Sequence, residues 1–350
     1  MTSRANKPIT LATIAEAVGV SRMTVSNAYN RPDQLSPALR ERILDTARDL
    51  GYGGPDPVAR TLSRGETGSV GVVLDYPLTR AFTDSATVGF LHGVASGCEQ
   101  YGRGMSLVPR IAGRDAALVG AALVDGFILY CVPEGDPRLD AVRGRRLPYT
   151  RVDFRPDPTA RDVNIDDEGA ARAIADHLVA LGHRRFALVL SVDDPGQTAA
   201  DAQARTLYFV EDARLAGWRA GLEAAGVDWS AVPVAGTAAA HGREMGRVAG
   251  SRLLDRADRP TAIMAMSDTL ALGVVEAAAE RGIPVPRDLS VTGFDDIPEA
   301  ASATPALTTV RQPHDRKGSE AVRLLLEGEE SGSILLPTEL VVRASTAPAP

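Results

Sequence analysis

Cysteine, histidine and aromatic side chains are scarce in this 350-residue chain. Its two cysteines, Cys98 and Cys131, supply neither a disulfide framework nor the four ligands of a structural zinc site, and they read as small buried or half-buried hydrophobes. The five histidines, His92, His177, His183, His241 and His314, show no His-x-x-x-His or Cys-His spacing. A Gly-x-Ser-x-Gly elbow and a Gly-x-x-x-x-Gly-Lys phosphate loop are also missing, so catalysis is not expected and neither a cofactor nor a metal is implied. His183, in a Leu-Gly-His-Arg turn, reads as a helix carboxyl-end cap. No apolar run approaches the ~20 residues that span a bilayer. The start, Met1 to Pro8, lacks the apolar stretch of about 7 to 15 residues of a secretory signal, which places the expected protein in the cytoplasm.

What is present is an ordinary soluble composition, 44% hydrophobic and 24% charged, long enough for two or three domains. The formal charge of −7 runs against nucleic acid as a partner, but its distribution does not. Met1 to Gly68 carries nine Lys and Arg against seven acids, a balance of +2 that leaves −9 for the rest. The first 31 residues hold four bases and one acid, so positive charge is concentrated where it can face phosphates.

The periodicity divides the chain. Thr10 is placed to cap a helix over Leu11 to Val18, Gly19 permits a turn, and Ser21 is placed to cap a second helix to about Tyr29. Ser36-Pro37 opens a third helix, ending at Gly51, with Leu39, Ile43, Leu44, Ala47 and Leu50 on one side. These three helices describe a helix-turn-helix module over residues 1–54. The Gly- and Pro-rich linker that follows leads into Val58 to Leu62, too short to be helical alone, so 55–67 reads as linker and hinge helix.

From Gly68 the rhythm becomes apolar runs alternating with amphipathic helices. Expected strands are Val70 to Leu74, Gly126 to Cys131, Tyr149 to Val152, Phe186 to Leu190, Ala262 to Met266, Leu289 to Gly293 and Leu340 to Val342. Expected helices lie near Thr87 to Tyr101, Glu168 to Leu181, Ala213 to Ala225, Arg243 to Leu254, Asp268 to Arg281 and Asp315 to Leu326. This alternation implies an α/β core of two doubly wound parallel-sheet lobes, with ligands at the carboxyl ends of strands. The N-terminal lobe is expected to comprise 68–163 and 312–332, and the C-terminal lobe 164–311 and 333–346. Residues 347–350 are expected to form a disordered tail, and nothing specifies a coiled-coil tetramer.

The most informative segment is Val20 to Asn30. The exposed positions of a helix that enters the major groove must be polar and hydrogen-bonding. Arg22 fits a bidentate contact to guanine, Asn27 one to adenine, and Met23 an apolar contact to a thymine methyl group. Ser21, Thr24 and Ser26 suit phosphates or caps. Thr10 and Tyr29 complete the candidate DNA-facing set in the head. A solvated polar helix in a small bundle is the competing reading of these residues.

Ile9 to Asn30 closely resembles the DNA-binding head of the lactose and galactose repressor family. The resemblance continues through Val58-Ala-Arg-Thr-Leu62, Gly71-Val-Val-Leu74, Ala180-Leu-Gly-His-Arg-Arg185, Arg214-Leu-Ala-Gly-Trp218, Ser267-Asp-Thr-Leu-Ala-Leu-Gly273, Val291-Thr-Gly-Phe-Asp-Asp296 and Thr304 to Pro313. It implies a transcription regulator, most simply a repressor, that binds a palindromic operator on double-stranded DNA as a homodimer. It also implies a hinge helix that forms on DNA, with Arg60 and Leu62 as contacts and Leu62 as a minor-groove wedge. Unstacking a base step in this way costs a few kcal/mol, offset by contacts on bent DNA. Gly53-Gly54-Pro55 makes the linker one residue longer than the commonest family form.

The resemblance further implies a core of periplasmic-binding-protein type, closing on a small-molecule effector such as a sugar or related metabolite. By position its contacts fall on Phe82, Asp153, Arg214, Ser267, Phe294 and Asp295. Carboxylates accept hydroxyl protons, an arginine donates in a fork, and a ring stacks on a sugar face. Each residue also fits another role: the aspartates as caps, the phenylalanines as core, Arg214 in a surface ion pair. Ser267 stands where the family commonly has asparagine, and Ser191 to Phe209 is longer than usual, so the effector's identity stays open. Two alternatives stand beside this reading. One is a DNA-binding dimeric scaffold whose core binds no effector; the other is a transport solute-binding protein, which the head and the absent export signal disfavour.

Overall fold

The computed structural model describes residues 9–54, 65–191, 197–236, 242–328 and 332–350. The expected hinge helix, with Arg60 and Leu62, lies outside the described residues. The chain divides into two units, Met1–Thr67 and Gly68–Pro350.

The first unit is the three-helix module. Helix α1 (Leu11–Val18) starts at Thr10, whose side chain accepts from Thr13 N at 3.4 Å while Thr13 reciprocates toward Thr10 N, and it stops at Gly19 in the left-handed region. Helix α2 (Arg22–Asn30) starts at Ser21, whose Oγ accepts from Thr24 N at 3.0 Å. Helix α3 (Pro37–Asp49) has Ser36 as cap and proline in its first turn. Ile14 and Ala15, Val25 and Ala28, and Ile43 and Ala47, two from each helix, form the core. Leu50, expected inside on the face of Ile43 and Ala47, is instead the α3 end cap and is exposed.

The second unit holds two parallel sheets. The first has the order β11-β5-β4-β3-β1-β2, built from β1 (Ser69–Leu74), β2 (Gly104–Val108), β3 (Gly126–Tyr130), β4 (Tyr149–Val152), β5 (Arg161–Ile165) and β11 (Gly332–Leu336). The second has the order β7-β6-β8-β9, from β6 (Phe186–Val189), β7 (Val234–Ala235), β8 (Ala262–Ala265) and β9 (Ser290–Thr292). An antiparallel pair, β10 (Thr309–Arg311) with β12 (Glu339–Val341), completes the strands among the described residues. The strands with continuous apolar runs, β1, β3, β6 and β8, are buried at nearly every position, and together with β4, β9 and β12 they fall on the seven strands expected from the sequence.

Three features depart from the expectations. Strands β2 and β11 lie at the sheet's two edges and bury only part of their residues, so neither carries a continuous apolar run. Strand β5 is internal but carries Asp162 and Asn164, buried because the Arg151 guanidinium donates to Asp162 at 2.6 and 2.7 Å and the Phe154 backbone pairs with the Asn164 amide. Strand β11 runs parallel to β5, so residues 332–336 belong to the first lobe's sheet and the chain crosses to the second lobe only after Leu336, later than the boundary expected at 333.

The expected disordered tail is tied down. Ala347 N donates to Ser290 Oγ at 3.1 Å and Ala349 N to Leu181 O at 2.8 Å, while Ser345 is fully buried. His183 closes the preceding helix through its backbone, its N–H donating to Leu178 O at 3.2 Å beyond the left-handed Gly182, but its side chain has a different role. Its ring is buried between Thr261 Oγ1 and Ser290 Oγ, each at 3.0 Å, and its Nε2 also meets Ala347 O at 3.0 Å. A short Ala-Pro tail with no apolar period has no local signal for such docking; the partners, Ser290 and Leu181, lie far away in sequence.

Helices cover both sheets. They are α4 (Leu78–Ala81), α5 (Ser85–Gln100), α6 (Asp115–Ala121), α7 (Pro137–Arg145), α8 (Asp167–Ala180), α9 (Ala199–Arg205), α10 (Phe209–Ala224), α11 (Gly242–Leu254), α12 (Asp268–Glu280), α13 (Pro298–Ser302) and α14 (His314–Glu327). Helices α5 and α14 touch backbone to backbone: a Cβ on Gly93 would overlap the Asp315 carbonyl, and one on Gly318 the Phe90 carbonyl. That approach sets the start of α14, with His314 and Lys317, against the carboxyl ends of the first sheet.

Candidate DNA interface and ligand cleft

In the first unit the amino-terminal turn of α2 is the polar surface. Ser21, Arg22 and Met23 are exposed, Met23 by 73%, whereas Val25 and Ala28 face the core. Thr24, Ser26, Asn27 and Tyr29 are half-buried, and Thr10 is exposed at the start of α1. Some of these groups are held by the module itself. Asn27 Nδ2 donates to Gln34 Oε1 at 3.2 Å, Asn30 Nδ2 to Ser26 Oγ at 3.2 Å, and Ser21 Oγ lies 2.8 Å from Thr24 Oγ1. The Tyr29 ring meets Tyr52 edge to face at 6.1 Å, and burial raises its phenol pKa. An unpaired guanidinium and thioether beside a tethered amide form a row of side chains able to meet base edges, and Arg40 Nε fixes α3 to α2 by donating to Ala28 O at 3.2 Å.

In the second unit a cavity of about 220 Å³ opens where the carboxyl ends of strands from both sheets converge. Asp75, Cys131 and Asp153 follow β1, β3 and β4; Ser191, Met266, Ser267 and Asp295 follow β6, β8 and β9. Tyr208, Glu211 and Arg214 reach it from the start of α10, Gln312 from the crossing segment before α14, and His314 from the first turn of α14. Cys131, Asp153 and Asp295 all have positive φ, at 49°, 63° and 124°. Non-glycine residues in this region are uncommon and cluster at ligand sites.

The structure brings four of the six effector candidates, Asp153, Arg214, Ser267 and Asp295, to this cavity. Ser267 also caps α12, its Oγ accepting from Leu270 N at 3.3 Å. Phe82 is not among the lining residues; it ends α4 with 65% of its surface exposed. Phe294 does not offer its ring to the cavity either. It is fully buried, and the Arg214 guanidinium lies over the ring at 3.6 Å.

Arg214 is thus fixed on three sides, because its Nε donates to Asp167 Oδ1 and its Nη1 to Met266 O, both at 2.8 Å. Burial works against its charge, but Asp167 and Asp295 outweigh it and hold its pKa above the ordinary value. A second chain of bonds joins the lobes. Lys317 Nζ donates to Asp153 Oδ1 at 2.5 Å and to Gln312 Oε1 at 2.6 Å, and Gln312 Nε2 donates to Asp295 Oδ1 at 2.6 Å. Asp75 is a third centre: it accepts from the buried Arg138, from Arg110 at 3.3 Å, and from Tyr208 Oη across the cleft.

Burial drives two of the acids here, Asp295 and Glu211, toward their neutral forms. Asp295 and Glu211 are both raised, burial first, although Gln312 supports the Asp295 carboxylate and Ser191 and Thr206 support that of Glu211. His314 is pushed down to about 3, by burial and then by Lys317 and Arg214. Both ring nitrogens are buried without a well-formed hydrogen bond, and the nearby Asp295 backbone, as a weak acceptor for the protonated ring, opposes the downward shift only in part. Among the described residues no cluster of three or more His, Cys, Asp and Glu side chains could hold a metal ion.

The sequence reading missed Asp75, Tyr208, Glu211, Lys317, Gln312 and His314. Asp75 had a usable signal, since it directly follows an apolar strand run. Tyr208 and Lys317 had none, because their roles arise only from the meeting of distant segments.

A helix-turn-helix unit followed by a two-sheet ligand-type core is the build of a ligand-responsive DNA-binding regulator. Residues 10–54 match the model of bacterial regulatory proteins of the lacI family, and residues 175–346 match a periplasmic binding protein-like domain. The HTH-type transcriptional regulator Rv3575c of Mycobacterium tuberculosis (strain ATCC 25618 / H37Rv) is 43% identical, with 97% of each chain covered. The lac repressor dimer bound to operator and the anti-inducer ONPF superposes with a TM-score of 0.78 at 28% identity, covering 97% of this chain and 100% of that one. A CelR–cellobiose complex does so with 0.70 at 28%, covering 96% and 99%. The chain belongs to the lacI family of bacterial transcription regulators. It is a regulator with a DNA-binding domain and not an enzyme. No helix among its described residues is long and apolar enough to cross a membrane.

Proposed function

We propose that the protein is a homodimeric repressor that reads a palindromic operator with α2 and is controlled by a sugar or related metabolite in the cleft between its lobes. The observation that carries this reading is the joining, in one chain, of an exposed Arg22-Met23 row to a cavity at the carboxyl ends of both sheets. The operator-bound lac repressor dimer and the cellobiose-bound CelR among its structural neighbours support both halves. Arg22, Met23 and Asn27 would meet bases; Thr10, Ser21, Thr24, Ser26 and Tyr29 would meet phosphates or fix the helix; and Arg60 and Leu62 would act at the hinge. Asp153, Arg214, Ser267 and Asp295 would contact the effector, with Phe294 acting from beneath Arg214.

Coupling between the two sites requires the effector to bind the DNA-free and DNA-bound arrangements with different affinity. Selection of the full chain on a random duplex library tests the first half: an inverted repeat is expected, and recovery of no preferred sequence would refute operator reading. On that repeat, Arg22→Ala should weaken binding by about 1–3 kcal/mol with little change on unrelated duplex. Calorimetry against a metabolite panel, repeated with operator, tests the second half. Heats with one compound and altered operator affinity are expected, whereas silence throughout would favour the dimeric scaffold.

A further inference from the structure

One segment of the second lobe reaches across to the first. Ser191 Oγ donates to Glu211 Oε1 at 2.7 Å and Thr206 Oγ1 to Glu211 Oε2 at 3.1 Å, so the buried Glu211 anchors the turn that enters α10 to the carboxyl end of β6. From that anchored turn three side chains meet the first lobe. Tyr208 Oη donates to Asp75, which follows β1. The guanidinium of Arg155, beyond β4, lies 5.5 Å from the centroid of the Phe209 ring and donates to Asp212 Oδ2 at 3.0 Å. These contacts are unequal in strength. The side chains of Arg155 and Asp212 are 57% and 35% exposed, and an ion pair in water holds weakly. Asp75 is buried, where a hydroxyl that donates to a carboxylate makes a strong bond. Arg138 and Arg110 also hold Asp75 from within the first lobe, so loss of the tyrosine hydroxyl frees the second lobe without leaving that carboxylate unpaired.

We propose that Tyr208, Phe209 and Asp212 form a clasp that holds the two lobes closed on the cleft when nothing is bound, with the Tyr208–Asp75 bond as its fastening. The clasp requires neither effector nor operator. Its consequence is gated entry: a small molecule reaches the cavity only while the clasp is released, so release limits exchange. The chain carries its own reporter of that release. Of its two cysteines, Cys131 lines the cavity close to Tyr208, Asp75 and Glu211, whereas Cys98 lies on α5 in the apolar core with 2% of its surface exposed. Parting of the lobes therefore uncovers one thiol and leaves the other shielded.

The test is alkylation of the ligand-free full chain with N-ethylmaleimide, followed at each cysteine by mass spectrometry. When release and closure are fast relative to alkylation, the rate at Cys131 follows the population of the released form. Tyr208→Phe keeps the ring and removes the fastening, and should raise the Cys131 rate about tenfold. Arg155→Ala, which removes only the exposed contacts, should raise it about two- to fivefold. Cys98 should react no faster in either variant. A Cys131 rate that Tyr208→Phe leaves unchanged overturns the clasp, and so does a native chain whose Cys131 reacts as fast as it does in urea. If Cys98 speeds up together with Cys131 in Tyr208→Phe, that variant has unfolded and Arg155→Ala decides: an unchanged Cys131 there overturns the clasp. The effector reading is tested separately, by the calorimetry above, and stands or falls independently of these rates.

Discussion

The guanidinium of Arg214 lies 3.6 Å from the centroid of the Phe294 ring, so that aromatic face is occupied by the chain's own cation. Phe294 is completely buried, whereas Phe82 is 65% exposed. Phe294→Ala should cost about 3–5 kcal/mol of stability, by loss of buried area and creation of a cavity. Phe82→Ala should stay within about 0.5 kcal/mol, as surface changes usually do. Urea unfolding of both variants checks the contrast, and equal losses would contradict the assigned burial.

Lys317 and Asp153 form a pair whose side chains are 1% and 7% exposed. Lys317→Met leaves the Asp153 carboxylate buried without its cation and should cost about 3–5 kcal/mol, while Lys317→Met with Asp153→Leu should recover much of the loss. A double variant no better than the single one would show that the lysine acts by packing rather than by charge.

His314 gives the second unit a defined acid sensitivity. Its pKa falls from an ordinary 6.5 in the unfolded chain to about 3 in the fold, so between those values the unfolded chain binds the extra proton. Its contribution is complete above pH 6.5 and is lost as pH falls through that window. Asp268, raised to about 6 by burial, has the opposite sign: its contribution fades as pH rises toward 6. His314→Gln, which cannot titrate, should therefore flatten the decline of melting temperature between about pH 6.5 and 4.5. An unchanged pH profile would mean that the ring is not buried neutral.

Ser345 closes the carboxyl-terminal segment onto the second sheet. Its Oγ accepts from Thr308 N at 2.8 Å and donates to Val291 O at 2.6 Å, with no exposed surface. Ser345→Ala strands a buried amide and carbonyl and should cost about 1–3 kcal/mol. Faster amide exchange at Thr308 and at Ala347 is the accompanying signature. If only the last residues respond, the tail is not coupled to the sheet through Ser345.

The amino acid sequence by itself determined the features that are written locally. Thr10, Ser21 and Ser36 start the three helices because a hydroxyl satisfies an amide that the first turn leaves free, and Gly19 ends the first because a left-handed residue is needed there. Strands buried on both faces were legible as the apolar runs of β1, β3, β6 and β8. Edge strands, polar β5 and the docked tail were not, since their partners lie elsewhere in the chain. Tertiary structure alone decided the cleft's chemistry. Phe294 turned from a surface for ligand into a platform for Arg214, and Asp75, Asp153, Tyr208, Gln312, His314 and Lys317 came together. Which buried charge pairs with which depends on the close approach of segments 47, 63 and 164 residues apart, as in Arg214–Asp167, Arg138–Asp75 and Lys317–Asp153, and no periodicity or local propensity encodes that.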